Sequence, residues 1–298
     1  MTLRMGIIGL SPGNGHPYSW SAICNGYDSE SIKDCSFPVI PQYLARQTWP
    51  DDQLIGARVT HVWTQNKTES LKIAKACYID NVVNTPEDMI GKIDALLLAR
   101  DDANNHQHFA EPFLQAGLPI YIDKPIALRE SQFNKLNSLQ IRPGQIFSCS
   151  ALRFAPELSL SKASKSKLGQ IRFIQGSTPK YWETYAIHLI DPVLNLLGFE
   201  NHPDRLFSEN IGDNGRILGL KWPLNGPDVH LLASGSLPCS LKLHIVGEND
   251  EITLKFKDTF TAFKLALTEF IGSVNEGHSR LPSEFNRRAV QIIEMGLK

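Results

Sequence analysis

An excess of charge of either sign is what this sequence most plainly lacks. Its 30 basic residues stand against 31 acidic ones, a formal net charge of −1. No broad attraction to nucleic acid or to an anionic membrane is built into it. Cysteine is scarce as well. Cys24, Cys35, Cys77, Cys149 and Cys239 are scattered, odd in number and never spaced C-x-x-C. That argues against a disulfide framework or a zinc ribbon and for buried thiols in a reducing compartment. Long hydrophobic runs are missing too: no window approaches the ~20 apolar residues of a membrane-spanning helix. The apolar run from Met5 to Leu10 is short and broken by glycine, unlike a signal h-region. A soluble cytoplasmic protein with no membrane partner is expected. No G-K-[ST] loop occurs, nor does any internal repeat or low-complexity tract.

What is present suits a packed core. The chain has 298 residues, 42% hydrophobic and 20% charged, enough for one large domain or two ordinary ones. Apolar runs at Arg4 to Leu10, Arg58 to Trp63, Asn81 to Val83, Ala95 to Ala99 and Pro119 to Ile122 read as strands. Helical patterns at Pro17 to Gly26, Thr68 to Cys77 and His106 to Ala116 separate them, with a helical turn at Pro86 to Ile90. Alternating β and α with continuous apolar strands predicts a doubly wound parallel sheet covered on both faces. Asp28 to Ala57 has no clean period, carries Pro38, Pro41 and Pro50, and reads as a long insertion with one helix at Pro41 to Gln47.

The texture changes after Lys124. A helix at Ser131 to Gln140, strands in "QIFSCSALRF" and "GQIRFIQGSTP", and a helix at Tyr185 to Leu197 are expected. Four further strands with turn signals follow between Ile217 and Lys257, and then a helical region at Thr259 to Lys298. This predicts an N-terminal α/β Rossmann domain over 1–125. Residues 126–298 then form an α+β domain with an open, mainly antiparallel sheet.

Three places carry candidate chemistry. The stretch "GLSPGNGHPYSW" leaves the first strand and opens a helix, but it departs from G-x-G-x-x-G: Ser11 and Asn14 stand at the second and third glycine positions. Gly9 makes the turn, Gly13 and Gly15 bring backbone N–H groups toward an anion, and the helix beginning at Pro17 offers its positive end. Gly9, Ser11, Gly13, Asn14, Gly15 and His16 are therefore candidate cofactor contacts. After the second strand, where a dinucleotide site places an acid on the ribose hydroxyls, Thr64, Gln65 and Asn66 stand instead, with Lys67 beside them. These residues tolerate a 2′-phosphate, so NAD and NADP both stay open. Lys124 closes the Pro119 to Ile122 strand, where its ammonium polarises an oxygen or relays a proton, held by Asp123. Finally, Thr184, His188 and Asp191 fall at i, i+4 and i+7 of one helix, near Tyr181 and Tyr185. Histidine is the natural base for a hydroxyl proton near neutral pH.

The ordered set "GIIGL…GNGH", "ALLLARDDANNHQHFAEPFLQAGLPIYIDKPIAL", "SALRF" and "YAIHLIDPVLNLLG" resembles the glucose–fructose oxidoreductase / inositol dehydrogenase / MocA (Gfo/Idh/MocA) family across nearly the whole chain. The most specific piece, "AGLPIYIDKPIAL", is similar to the family's A-G-x-x-V-x-x-E-K-P-x-A segment, with Asp123 in place of Glu. The resemblance implies an NAD(P)-linked hydride transfer between nicotinamide and a carbinol or carbonyl carbon of a sugar, cyclitol or related polyol. It also implies a homo-oligomer, dimer or tetramer, built through the C-terminal sheet. It assigns Lys124, His188 and Tyr185 to catalysis and Thr184, Arg153, Asp191 and Tyr181 to substrate. Arg100, Asp101 and His106 fall in the nicotinamide-side turn "ARDDANNH". His188 matches the histidine of the family's D-x-x-x-H, whereas Thr184 occupies the aspartate position. That departure, the missing ribose acid and the altered glycine loop keep open a second possibility, a dinucleotide- or sugar-binding sensor or regulatory protein. No metal site is expected. Asp101 and Asp102 are adjacent and diverge, and His106 and His108 lie on different helix faces.

Overall fold

The computed structural model describes residues 2–298. Two compact units make up the chain. The first contains everything to Ile126, with Asn134–Ser148 and Thr259–Pro282; the second contains Ala127–Phe133, Cys149–Asp258 and Ser283–Lys298.

The first unit is built on six parallel strands: β1 Leu3–Gly9, β2 Ala57–Thr64, β3 Asn81–Val82, β4 Ala95–Leu98, β5 Ile120–Ile122 and β6 Ile146–Phe147. They lie in the order β3-β2-β1-β4-β5-β6, the Rossmann arrangement, whose order reverses between β1 and β4 and opens a crevice at the strands' carboxyl ends. The apolar runs form these strands because both sheet faces are covered. Met5, Ile7, Ile8 and all of Ala95 to Leu98 are fully buried. Helix His16–Asn25 follows β1, with Pro17 in its first turn and Gly26 at φ 77 ending it. A Cβ on Gly9 would lie 2.2 Å from Pro17 Cγ, so glycine at the strand end is what lets this helix pack so close.

The insertion between Asp28 and Ala57 forms a 3₁₀ turn, Ser31–Asp34, and a short helix, Val39–Leu44. Phe37 and Ile40 pack on Gly15, where an added Cβ would lie 2.6 Å from each. The Tyr43 hydroxyl donates to the Ser19 hydroxyl. Helix Thr259–Glu276 belongs to this unit. Its Phe263 meets His16 and Trp20 edge-on, and Phe270 meets Tyr121 and Phe147.

The second unit carries β7 Ile171–Thr178, β8 Asp204–Ile211, β9 Gly215–Lys221, β10 Asp228–Ala233, β11 Lys242–Gly247 and β12 Glu251–Lys255. Their order is β12-β11-β7-β10-β9-β8. Only β7 and β10 pair in parallel, so the sheet is mainly antiparallel. Period-2 alternation puts Val229, Leu231, Ala233, Leu243 and Ile245 on the buried face. Helices Ile187–Leu197 and Ser283–Leu297 cover that face.

Two expectations are corrected. "QIFSCSALRF" is not one strand. Only Ile146–Phe147 pairs, as the last strand of the first sheet, and Ala151–Phe154 winds into a 3₁₀ turn. The run is buried as far as Leu152 and so reads as a strand, but the Ser150 hydroxyl accepts Leu152 N–H and turns the backbone. Strand β8 was not expected. It is an edge strand whose residues are all exposed or half-buried, so it shows no apolar alternation to read.

Candidate functional site

In the first unit the glycine loop runs from the end of β1 into helix His16–Asn25. Gly13 adopts φ 80, the region that favours glycine. Several loop donors are already occupied. Asn14 N–H bonds Ser11 O, and His16 N–H bonds the Asn14 side chain at 2.8 Å. Among the described residues, the N–H groups of Ser11, Gly13 and Gly15 have no protein partner. Three unbonded N–H groups beside a helix N-terminus are what a diphosphate requires. These residues fit the cofactor that the sequence implied.

Beside the loop lie two buried side-chain clusters. Ser11 Oγ donates to Asp101 Oδ1 at 2.5 Å, and Asp101 Oδ2 is 3.4 Å from Lys124 Nζ. Asp123, expected to hold the lysine, interacts with it by charge and accepts the backbone N–H of Lys124 at 2.7 Å. It also takes the Asn14 amide at 2.8 Å and faces His16 Nδ1 at 2.5 Å. Burial alone would raise the Asp123 carboxyl, but the charges of His16 and Lys124 and the hydrogen bonds from His16 and Asn14 hold it well below the usual carboxylate range. Lys124 itself is 4% exposed and precedes Pro125 through a cis peptide.

The ribose-side residues are occupied locally. Gln65 brackets Leu10, accepting its N–H at 3.2 Å and donating to its carbonyl at 2.8 Å. Thr64 Oγ1 bonds Ser70, and Asn66 caps helix Lys67–Ala76 by accepting Thr68 N–H. Arg100 lies over the Phe109 ring, donates to Gln65 and forks onto both oxygens of Asp102. Burial opposes the charge on Asp102, yet Arg100 and Asn105 keep its carboxyl lowered. His106 is fully buried, with ring nitrogens 3.0 and 2.7 Å from the carbonyls of Ile126 and Arg100. It braces the ends of two loops.

In the second unit, helix Trp182–Tyr185 is followed by a turn at Ala186 and helix Ile187–Leu197. His188 therefore begins a new helical segment. Its Nδ1 is 2.7 Å from Ser150 Oγ, and its ring meets Tyr185 edge-on. Asp191 is completely buried beneath it and accepts Ser150 N–H at 2.5 Å. Burial pushes its carboxyl up to about 7, against the Arg153 charge and the Ser150 hydrogen bond. Its Oδ1 and Arg153 Nη1 are buried without hydrogen-bond partners. Arg153 stacks over Phe285 at 3.8 Å. Tyr185 Oη accepts Lys180 Nζ at 2.6 Å. Thr184 is half-buried and Tyr181 is 48% exposed.

Sequence reasoning passed over Ser150 entirely. The available signal was its place as an N-cap serine before Ala-Leu-Arg, hidden by the continuous buried run. Asp101 was expected beside the cofactor, but not as the lysine's partner, because residues 23 apart carry no spacing signal.

A model of an oxidoreductase family with an NAD-binding Rossmann fold, Gfo/Idh/MocA, matches residues 3–150. No curated protein matches the sequence. Among solved structures, the chain is similar to myo-inositol dehydrogenase from Lactobacillus casei in complex with NAD(H) and myo-inositol. Identity there is 14% and TM-score 0.74, covering 99% of this chain and 93% of that one. Similar too are scyllo-inositol dehydrogenase from the same organism with NAD(H) and scyllo-inositol (13%, 0.72, 98% and 95%) and myo-inositol 2-dehydrogenase from Lactobacillus plantarum (15%, 0.73, 100% and 96%). At such identities the likeness establishes the fold.

Proposed function

Because the chain belongs to the Gfo/Idh/MocA oxidoreductase family, we propose that it is an NAD(P)-dependent dehydrogenase acting on a CH–OH carbon of a sugar, cyclitol or related polyol. The observation that carries this is the chain Lys124–Asp101–Ser11, which ties a strand-end lysine to a loop with three unbonded N–H groups. The nicotinamide, when bound, accepts or returns the hydride.

The protein's residues do the rest. Ser11, Gly13 and Gly15 offer N–H groups to the diphosphate. Lys124, kept beside Asp101, supplies positive charge for an oxygen that gains negative charge as its proton leaves. His188 takes that proton at Nε2. Thr184, Tyr185, Tyr181 and Arg153 are the proposed substrate neighbours. Gln65 leaves the choice between NAD and NADP to experiment. The half-buried rings of Phe173, His230 and Phe207, edge to face on the second sheet, are where we place self-association.

The test is a thermal-shift series with NAD, NADH, NADP and NADPH, followed by turnover on inositols and sugars read at the nicotinamide absorbance band. One cofactor pair should raise Tm. Lys124→Ala and His188→Ala should each lower kcat by about 10²–10⁴-fold while keeping that shift. Wild-type rates in both variants would end the proposal. A cofactor shift without turnover of any polyol would favour a sensor.

A further inference from the structure

A ribose diol and a 2′-phosphate ask for opposite things of a protein. The diol has hydroxyl hydrogens to place and is met best by a carboxylate, which only accepts. The phosphate offers acceptor oxygens and negative charge, and is met by a cation and N–H donors. In a doubly wound sheet the residues that make this choice follow the second strand. Here they are Thr64 to Lys67.

The side-chain acceptors at that end of β2 are uncharged and in use. Gln65 Oε1 accepts Leu10 N–H at 3.2 Å and Arg100 Nη1 at 3.1 Å, which occupies both its lone pairs. Thr64 Oγ1 donates to the Asn66 carbonyl and pairs with Ser70 Oγ. Asn66 Oδ1 accepts Thr68 N–H at 3.0 Å. The carboxylates of the neighbouring turn already hold partners. Asp101 lies between Ser11 and Lys124, and Asp102 takes Arg100 and Asn105.

Donors remain. Lys67 is exposed at the first position of helix Lys67–Ala76. Its ammonium gives a hydrogen to Asn84 Oδ1 at 3.1 Å and keeps others to give. Asn84 lies just past β3, so the charge stays at the carboxyl end of the sheet. Arg100 and Lys124 are each paired with a carboxylate. Lys67 forms no ion pair among the described residues, and Asn66 Nδ2 has no protein partner there. The end of β2 therefore presents one uncompensated cation and one unused amide donor, with no carboxylate of its own.

We propose that the protein selects NADP(H) over NAD(H), with Lys67 and Asn66 as the residues that hold the 2′-phosphate. This deepens the proposed dehydrogenase function and rests on it. Lys67 supplies the charge, and Asn66 Nδ2 supplies a directed N–H. Gln65, locked to Leu10, brings no negative charge to oppose them. NAD(H) leaves the ammonium without an anion and the ribose hydroxyls without a charged acceptor.

Calorimetric titration with NADPH, NADH, adenosine 2′,5′-bisphosphate and 5′-AMP reads the preference without turnover. NADPH should bind at least about 10-fold tighter than NADH, and the bisphosphate at least about 10-fold tighter than 5′-AMP. Lys67→Ala should weaken NADPH about 10-fold and change NADH by less than about twofold. Asn66→Asp keeps the helix cap, because aspartate also accepts Thr68 N–H, but sets a negative charge against the phosphate. It should bring the NADPH-to-NADH ratio to about one or below. Because Lys67 is exposed, added salt should narrow the wild-type ratio and leave that of Lys67→Ala nearly constant. Equal or tighter binding of NADH by the wild type, or an unchanged ratio in Lys67→Ala, overturns the proposal. If NADH is preferred and a polyol is oxidised, the dehydrogenase function stands and the cofactor choice alone falls. If NADPH is preferred and no polyol is oxidised, the reverse holds. Binding of none of the four ligands overturns both.

Discussion

Asp123 in the first unit and Asp191 in the second are equally hidden, at 1% and 0% exposure, yet the protein moves their carboxyls in opposite directions. Asp123 receives Lys124 N–H, the Asn14 amide and His16, and is held low. Asp191 receives one backbone N–H, leaves Oδ1 unbonded and is pushed up to about 7. Burial is common to both, so the compensation decides the sign. The charges of His16 and Lys124, with the hydrogen bonds from His16 and Asn14, outweigh burial at Asp123, whereas the charge of Arg153 and one backbone N–H do not at Asp191. A carboxylate with several donors is a fixed anion that stiffens the crevice. A carboxylate with one is a poised group whose charge changes near neutral pH.

The largest test of that contrast removes the well-satisfied anion. Asp123→Ala strands Asn14, His16 and the Lys124 N–H and should cost about 3–5 kcal/mol, a fall in Tm of roughly 10 °C. A lowered folded pKa contributes stability above the unfolded value near 4, and that contribution is lost as pH falls through the folded one. The deficit of Asp123→Asn should therefore be full at pH 7 and shrink in acid. For Asp191 the sign reverses. Its raised pKa leaves the folded state unpenalised below about pH 4, and the cost grows until it is complete above about pH 7. Asp191→Asn should gain about 3 kcal/mol near pH 8 and nothing near pH 4, measured by melts across that range. A loss at both values would mean that Asp191 behaves like Asp123.

The same contrast explains what could be read from sequence. Five of the six strands of the first sheet and the glycine turn were legible, because buried strands leave hydrophobic runs; the sixth, Ile146–Phe147, was read into a longer strand of the second domain. The lysine's position at the end of β5 was legible through "IYIDKP". Its partner was not. Asp101 reaches Lys124, and Asn14 reaches Asp123, only because parallel strands bring distant loops side by side. Ser150 was hidden for a different reason. One hydroxyl accepting one N–H converts an apparent strand into a turn, and no periodicity records it. Strand β8, polar and at an edge, left no pattern at all.

A smaller test separates charge from hydrogen bonding within the first cluster. Asp101→Asn keeps an acceptor for Ser11 but removes the Asp101 charge beside the Lys124 ammonium, whose side chain is 6% exposed. It should cost about 2 kcal/mol. If it costs nothing, the lysine's charge is balanced elsewhere in the first unit and the cluster is less tightly paired than Asp123 suggests.

The smallest effect sharpens the other side. Arg153 is the cation opposing the rise of Asp191, and its guanidinium also covers the Phe285 ring. Arg153→Gln removes both interactions, and pH separates them. Near pH 5 Asp191 is neutral in the folded protein, so only the ring contact is lost, about 1 kcal/mol. Above pH 8 the carboxylate also loses its counter-charge. Its titration should move up by about one unit, adding about 1.4 kcal/mol to the deficit. Melts of wild type and variant at the two pH values measure the difference of differences. A deficit that is the same at both would mean that Arg153 contributes nothing to Asp191. Burial alone would then set the poised group, and the charges and hydrogen bonds around Asp123 would be the whole difference between the two.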